Sequence, residues 1–334
     1  MTNKRLPAVL GVGNALVDVI SILNNDSILE KFGLPRGSMT LVDAELSKKI
    51  YDEVFSEKSE LSTGGSVANT MRTLASLGGN GGYLGKIGKD ELGVVFKEAF
   101  EQRGIKTHLF YSENETGRVM GLVSPDSERT MATYLGAAAE LTPEDFSLPI
   151  FKDYDYAYME GYLVFNHELI KTGVEMAKAA GLKVAIDLAS FNVVEANLDF
   201  LKDLIKTNVD IVFANEEEAK SFTGKEPLEA LHDISEMCEL AIVKVGKHGS
   251  LIKRGNEIVK VGTIKANAID TTGAGDSYAA GFFYGLTHGY DLETCGKIAA
   301  HVSGKVVEIM GANLPDRQWP EINEEIKKIV ELGN

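Results

Sequence analysis

Short apolar runs that end near Gly, Asp or Asn alternate with helical patterns along most of this chain, and that alternation leaves it few folds. The runs at 9–13, 83–87, 154–159, 183–187, 211–214 and 241–245 read as strands. Helical periodicity at 66–77, 92–103, 168–180, 198–207 and 216–222 falls between or beside them. Such a series predicts an α/β fold with a mostly parallel central sheet flanked by helices on both faces. Ligands in sheets of this kind bind beyond the carboxyl ends of the strands, where Asn14, Gly64, Asp187 and Asn215 fall. Two stretches, 19–61 and 108–134, break the series. They carry β-rich pieces (17–23, 38–42, 107–112, 118–124 and 129–134) without regular helices between them.

The run Asp270-Thr271-Thr272-Gly273-Ala274-Gly275-Asp276 packs two carboxylates, two hydroxyls and two glycines in front of a helical pattern at 277–286. A loop ending at a helix start presents backbone N–H groups without intrahelical partners, at the positive end of the helix dipole. That arrangement attracts phosphate. Gly273 and Gly275 let the main chain approach an anion closely. An acid there repels phosphate unless it takes a proton from a group about to be phosphorylated, so Asp276 reads as a general base beside an anion hole. Asp270 has three readings: a holder of the loop, a ligand for a monovalent cation such as K+ with Thr272, or an Asx-type turn former.

Other nucleotide motifs fail. In Gly11-Val12-Gly13-Asn14-Ala15-Leu16 the third glycine of a dinucleotide fingerprint is missing, and a strand pattern follows instead of a helix. Every Gly-Lys pair is followed by something other than Ser or Thr, which excludes a Walker-type loop.

Two further elements accompany the loop. Gly64-Gly65 opens a helical pattern that contains Asn69, and Asn215-Glu216-Glu217-Glu218 follows an apolar run. In this order, from about residue 9 to about residue 315, the three elements resemble the ribokinase family, also called the pfkB carbohydrate kinases. The resemblance implies a ribokinase-like fold with a small β-sheet lid over an acceptor site. The domains expected are a core of 1–18, 62–107 and 135–334, and a lid of 19–61 and 108–134; the other reading is a pair of excursions at the sheet edge. It also implies ATP as donor with Mg2+, Asp276 as base, and the amides of Gly273, Ala274 and Gly275 as the anion hole.

Asn215 and Glu218 match the family residues that organise Mg2+ through water, although Asn followed by Glu at the third helical position is also a capping sequence. Thr271, Thr272, Lys244, Gly246 and Lys247 fall where the donor nucleotide sits; the glycine-rich stretch from Gly246 also suits a hairpin turn. Arg129 is where relatives bring a cation toward the transferring phosphate, or it is a surface arginine.

Asn14-Ala15-Leu16-Val17-Asp18 looks most like the adenosine kinase branch, which uses an Asn and an Asp at this spacing on ribose hydroxyls. Gly65 and Asn69 supply more polar groups. Leu16, Met39, Met131 and Leu135 match positions that line a nucleoside pocket, and Leu163 stands where some relatives place an aromatic. The resemblance therefore implies an ATP-dependent kinase converting adenosine to AMP. A kinase of ribose, fructose or a related sugar is the alternative, and a non-catalytic nucleoside- or sugar-binding sensor is a third reading. The intact Asp276 argues against the sensor.

Composition sets outer limits. At 334 residues and 44% hydrophobic the chain can bury a substantial core. A net charge of −15 argues against nucleic-acid or anionic-membrane partners, but not against a nucleotide whose charge Mg2+ carries. No apolar run approaches the length of a bilayer span, and the first residues do not read as a signal peptide. Cys238 and Cys295 form no Cys-x-x-Cys pattern, and the six histidines show no metal-ligand spacing. A cytoplasmic monomer or homodimer is expected.

Overall fold

Ala8–Val12 is entirely buried, with Ala8, Leu10 and Val12 packed in one core cluster and Val9 in another. This period-two division places the strand inside a sheet covered on both sides. The computed structural model describes residues 5–55, 59–126 and 128–333; the parts of the expected domains at 1–4, 56–58, 127 and 334 lie outside the described residues. Among the described residues fourteen strands occur in chain order: β1 (Ala8–Val12), β2 (Leu16–Ile22), β3 (Met39–Leu41), β4 (Glu60–Gly64), β5 (Asn80–Gly88), β6 (Lys106–Ser112) and β7 (Thr116–Val123). The remainder are β8 (Arg129–Gly136), β9 (Tyr156–Met159), β10 (Lys183–Asp187), β11 (Ile211–Asn215), β12 (Leu240–Lys244), β13 (Ser250–Arg254) and β14 (Glu257–Val261).

Nine strands form the main sheet in the order β14-β13-β12-β11-β10-β9-β1-β5-β6. From β12 to β6 every pairing is parallel, and only β13 and β14 run antiparallel at the edge. Helices His167–Ala179, Leu198–Asn208, Glu216–Thr223 and Pro227–Ser235 bury Leu169, Leu201, Phe222 and Leu231 against one face. Helices Ser66–Ser76, Glu91–Glu101, Ala274–His288 and Leu292–Val306 bury Met71, Phe96, Phe282 and Ala299 against the other. The expected doubly covered, mostly parallel sheet is what the chain forms.

The helix that starts at the Gly-Ala-Gly loop is held by close contact with its neighbour. A Cβ added at Gly285 would lie 2.7 Å from Cys295 Sγ, and one at Gly281 would lie 2.8 Å from Ala299 Cα. Gly285→Val is expected to overpack this contact and destabilise the chain by roughly 1–3 kcal/mol, read as a lower urea midpoint at unchanged slope.

The second sheet has the order β3-β8-β7-β2-β4. Helix Ala44–Val54 packs on one face, burying Ile50 with Val19, Met120, Leu122 and Ala132. This corrects the expectation that 19–61 holds no regular helix. Asp43 caps its N-terminus by accepting a 2.8 Å hydrogen bond from Leu46 N, and Leu46, Ile50 and Val54 recur at helical spacing on the packed side.

The piece at 107–112 was expected in the lid but belongs to the main sheet. As β6 it pairs in parallel with β5 after the crossover helix Glu91–Glu101, as a strand–helix–strand unit does. The smaller sheet also reaches past the expected borders, since β2 starts at Leu16, β4 runs to Gly64 and β8 runs to Gly136. Its second face, away from helix Ala44–Val54, carries Leu16, Asp18 and Ile20 from β2, with Arg129, Met131 and Leu135 from β8.

Candidate active site

The two sheets meet at the loop that precedes helix Ala274–His288. Asp270 builds that loop. Its Oδ1 accepts from Thr272 N at 2.9 Å and Thr272 Oγ1 at 2.6 Å, and its Oδ2 accepts from Gly311 N at 2.8 Å and Arg129 at 3.2 Å. Burial pushes the Asp270 carboxyl up, but these donors outweigh it and hold the group below its ordinary value. With both oxygens engaged in these bonds, the loop-holding and turn-forming readings both fit. Arg129, expected near the transferring phosphate or at the surface, is largely buried in this ion pair with the loop, which corrects the surface reading.

Gly273, in the left-handed conformation, starts the helix. Among the described residues, the N–H groups of Gly273, Gly275 and Asp276 have no protein acceptor, whereas Ala274 N donates to Thr271 O at 3.1 Å. The free amides are thus those of 273, 275 and 276, and the Ala274 amide assigned from sequence is used within the loop.

Asp276 stands between two groups of residues, and helix Ser66–Ser76 holds both of its carboxylate oxygens. Ser66 Oγ donates to Oδ1 at 2.7 Å and Asn69 Nδ2 to Oδ2 at 3.0 Å, while Thr70 Oγ1 donates to the Asp276 carbonyl at 3.1 Å. Burial raises the Asp276 carboxyl to about 6, against the lowering effect of those two side chains. The Oδ1 of Asn69 is buried without a partner among the described residues, so it is available to a hydroxyl donor.

On one side of Asp276 lie the residues expected to bind the acceptor. Asp18 has no side-chain hydrogen bond or ion pair among the described residues, and burial raises its carboxyl to about 6 despite the charges of Arg129 and Arg72. Gly64 makes room for it: a Cβ there would lie 2.2 Å from Asp18 Oδ1. Gly65, with φ 98°, turns the chain into the helix, and a Cβ on it would strike the Asn14 carbonyl at 2.2 Å.

Buried Glu160, absent from the sequence assignment, holds Asn14. It accepts from Asn14 Nδ2 at 2.5 Å, Asn14 N at 3.2 Å and Val67 N at 3.4 Å. Burial pushes the Glu160 carboxyl up to about 7. With one N–H of its amide committed, Asn14 keeps Oδ1 and its second N–H for a substrate.

Leu16, Met131 and Leu135 share the Asp18 face, and Met39 on β3 sits beside Met131 in register. Leu163 does not join them. The turn Gly161–Phe165 carries it into the apolar core, which corrects its assignment to the pocket wall.

On the other side of Asp276 is a cavity of about 700 Å³. Ser66, Asp187, Asn215, Glu218, Lys244, Gly246, Lys247, Thr271 and residues 273–276 line it, with Ile264, Ala266, Ala268, Ala300, Gly304 and Val307 forming an apolar end. Asn215 and Glu218 make the capping box: Glu218 N donates to Asn215 Oδ1 at 2.8 Å, and Asn215 N and Nδ2 donate back to the Glu218 carboxylate. Glu218 is raised by burial and by the nearby Asp187. Gly246 lies in the turn of the β12–β13 hairpin and also lines the cavity, so both of its readings fit. Lys244 Nζ donates to Asp187 Oδ2 at 3.0 Å. Thr272 points inward to Asp270 and does not line the cavity.

Ser66 and Glu160 are site residues that sequence reasoning missed, and Asp187, placed at the ligand edge of the sheet, was given no role. Asp187 ends β10 and Glu160 directly follows β9, so an acid at a strand's carboxyl end was the available signal. Ser66 lay inside the Gly-Gly element.

The pfkB family carbohydrate kinase profile matches residues 40–319. The chain belongs to the pfkB carbohydrate kinase family. It is a phosphotransferase with an alcohol group as acceptor, a nucleoside or sugar kinase by family. The crystal structure of adenosine kinase from Sinorhizobium meliloti superposes with a TM-score of 0.84 at 34% identity, covering 97% of this chain and 99% of that one. A "probable sugar kinase protein" from Rhizobium etli CFN 42 gives a TM-score of 0.85 at 34% identity, with the same coverage. A nucleoside kinase of Methanocaldococcus jannaschii is 29% identical over 90% of this chain and 92% of its own length. The kinase family implies ATP as substrate and typically Mg2+. No helix among the described residues is long and apolar enough to cross a membrane.

Proposed function

We propose that this protein phosphorylates the 5′-hydroxyl of a ribose-containing nucleoside, adenosine first, with ATP as donor. The observation that carries the acceptor is the second face of the smaller sheet, which the unpaired Asp18 carboxylate shares with Leu16, Met131 and Leu135. A carboxylate suits vicinal ribose hydroxyls, and the apolar residues give a purine ring a surface to cover. The likeness to adenosine kinase of Sinorhizobium meliloti supports the same acceptor.

In this reading the smaller sheet is a lid. Asp18, Asn14 Oδ1 and Asn69 Oδ1 hold the sugar so that its primary hydroxyl reaches Asp276. The carboxylate takes the hydroxyl proton as the oxygen attacks the γ-phosphorus, the bond to the β-phosphate oxygen breaks, and ADP leaves. The free N–H groups of Gly273 and Gly275 hold the transferring oxygens at fixed positions. Lid closure excludes water, which competes as phosphoryl acceptor.

Among the described residues no group of three or more His, Cys, Asp or Glu side chains is placed to hold a metal ion directly. The oxygen-rich wall of Asp187, Asn215 and Glu218 fits a hydrated Mg2+ that arrives on the polyphosphate, with these residues reaching it through water. Bound there, the ion would offset phosphate charge.

The test is ADP release with Mg-ATP across a panel of nucleosides and free sugars. Adenosine is expected to be the best acceptor; ribose or fructose ahead of every nucleoside would overturn the assignment and leave the sugar kinase reading.

A further inference from the structure

Lys244 ends β12 inside the cavity, and its surroundings are unusual for a residue that only neutralises a neighbour. Its Nζ lies 3.0 Å from Asp187 Oδ2, and a Cβ added at Gly275 would lie 3.1 Å from the same nitrogen. The ammonium therefore sits between a carboxylate and the free amides at the start of helix Ala274–His288. Asp187, Glu218 and Asp276 surround it, and Lys247, at the exposed hairpin, is the other cation lining the cavity. Arg129, the residue placed by family resemblance near the transferring phosphate, pairs with Asp270 and does not line the cavity. Among the described residues, Lys244 is thus the one largely buried cation that lines it.

We propose that Lys244 is a catalytic contact for the transferring phosphoryl group, and that it exchanges Asp187 for that group when the donor polyphosphate enters. This rests on the kinase reading of the site. A lysine suits such an exchange because it is a compact charge on a flexible stem, able to leave a carboxylate for a nearby phosphate oxygen. Phosphates seated on the amides of Gly273 and Gly275 lie within reach of its present position. Entry of a polyphosphate beside three carboxylates adds like charge, and moving the ammonium onto the phosphate offsets part of it. Lys244 keeps its proton throughout: the acceptor proton goes to Asp276, the acceptor oxygen forms the new bond to phosphorus, and the electron pair of the broken bond leaves on ADP.

The competing account is that Lys244 only shields Asp187. Kinetics on the full chain with Mg-ATP and the best panel acceptor separate the two. Lys244→Met is expected to lower kcat by about 10²-fold, as loss of one transition-state charge contact does, with the acceptor KM changed little. Lys244→Arg should recover part of the rate. Because Asp187 also stands in the wall that fits hydrated Mg2+, the reference is Asp187→Asn alone: adding Lys244→Met to it should cost a further ~10²-fold in kcat. A double variant no slower than Asp187→Asn alone would overturn the proposal, because shielding would then be the whole role of the lysine.

Calorimetry with ATP in EDTA gives a second readout. Wild type should bind at least about tenfold more tightly than the double variant, in which both members of the pair are neutral. Equal affinities of wild type and double variant would also sink the phosphate contact. If wild type neither binds ATP nor releases ADP with any alcohol, the kinase reading itself fails, a result distinct from either outcome above.

Discussion

Asp276→Asn should fold, bind acceptor and lose about 10²–10⁴-fold in turnover, the usual worth of a positioned general base. The fold can accommodate the amide. Ser66 Oγ still finds an oxygen to donate to, and Asn69, whose Oδ1 lacks a partner among the described residues, can flip to accept from the new NH2. The wild-type carboxyl is raised to about 6 by burial, so turnover should fall as pH drops through about 6, when the base takes up a proton before substrate can supply one. The residual activity of the variant should lack that acid limb.

Stability should move the opposite way. A carboxyl with a raised folded pKa stabilises the fold in its protonated form, an effect fully present below the unfolded pKa and lost as pH rises through about 6. The variant keeps a neutral group at every pH. It should therefore match wild type near pH 4 and exceed it by roughly 2 kcal/mol at pH 7.5, measured by urea or thermal unfolding. Turnover of Asp276→Asn near the wild-type rate would remove Asp276 from the base role, whatever the unfolding curves show.

The parts of this protein legible in its sequence are those written in local pattern. The β10 run at 183–187 and the helix at 66–76 stand within a residue of where their periodicity placed them, because burial on both faces of a parallel sheet leaves continuous apolar strands between amphipathic helices. The Gly-Ala-Gly loop was legible for the same reason, since its chemistry is contiguous. What escaped depends on which distant segments meet. Glu160 and Asn14 are neighbours only because β9 lies beside β1, and Lys244 meets Asp187 only across β11. Nothing local reveals that Arg129 pairs with Asp270, far along the chain. β6 was misplaced because a half-buried edge strand reads like any lid strand, and only the helix before it marks a crossover.

The acceptor assignment is tested most sharply by giving the apolar side of the pocket a charge. Leu135 sits on β8 on the same face as Asp18, and Gly117 brings it close to Leu16: a Cβ on that glycine would lie 2.4 Å from both the Leu135 carbonyl and Leu16 Cδ2. A purine ring seated here buries apolar surface at about 25 cal/mol per Å² before ordering costs, an interaction that free ribose cannot make. Wild type should therefore show a far lower KM for adenosine than for ribose.

Leu135→Asp places an unpaired carboxylate against the base while leaving Asp18, Asn69 and Asp276 in position. Desolvating that charge beside the ring should cost a few kcal/mol, on the order of a 10²-fold loss in kcat/KM for adenosine. Residual phosphorylation of ribose, which does not reach Leu135, should change several-fold at most. The ratio of the two losses is the readout, because a general folding defect lowers both together. If ribose or fructose is the better wild-type substrate and Leu135→Asp leaves that activity intact, the nucleoside assignment fails. Membership of the pfkB family does not depend on that result, and Asp276 would serve a sugar hydroxyl by the same proton transfer.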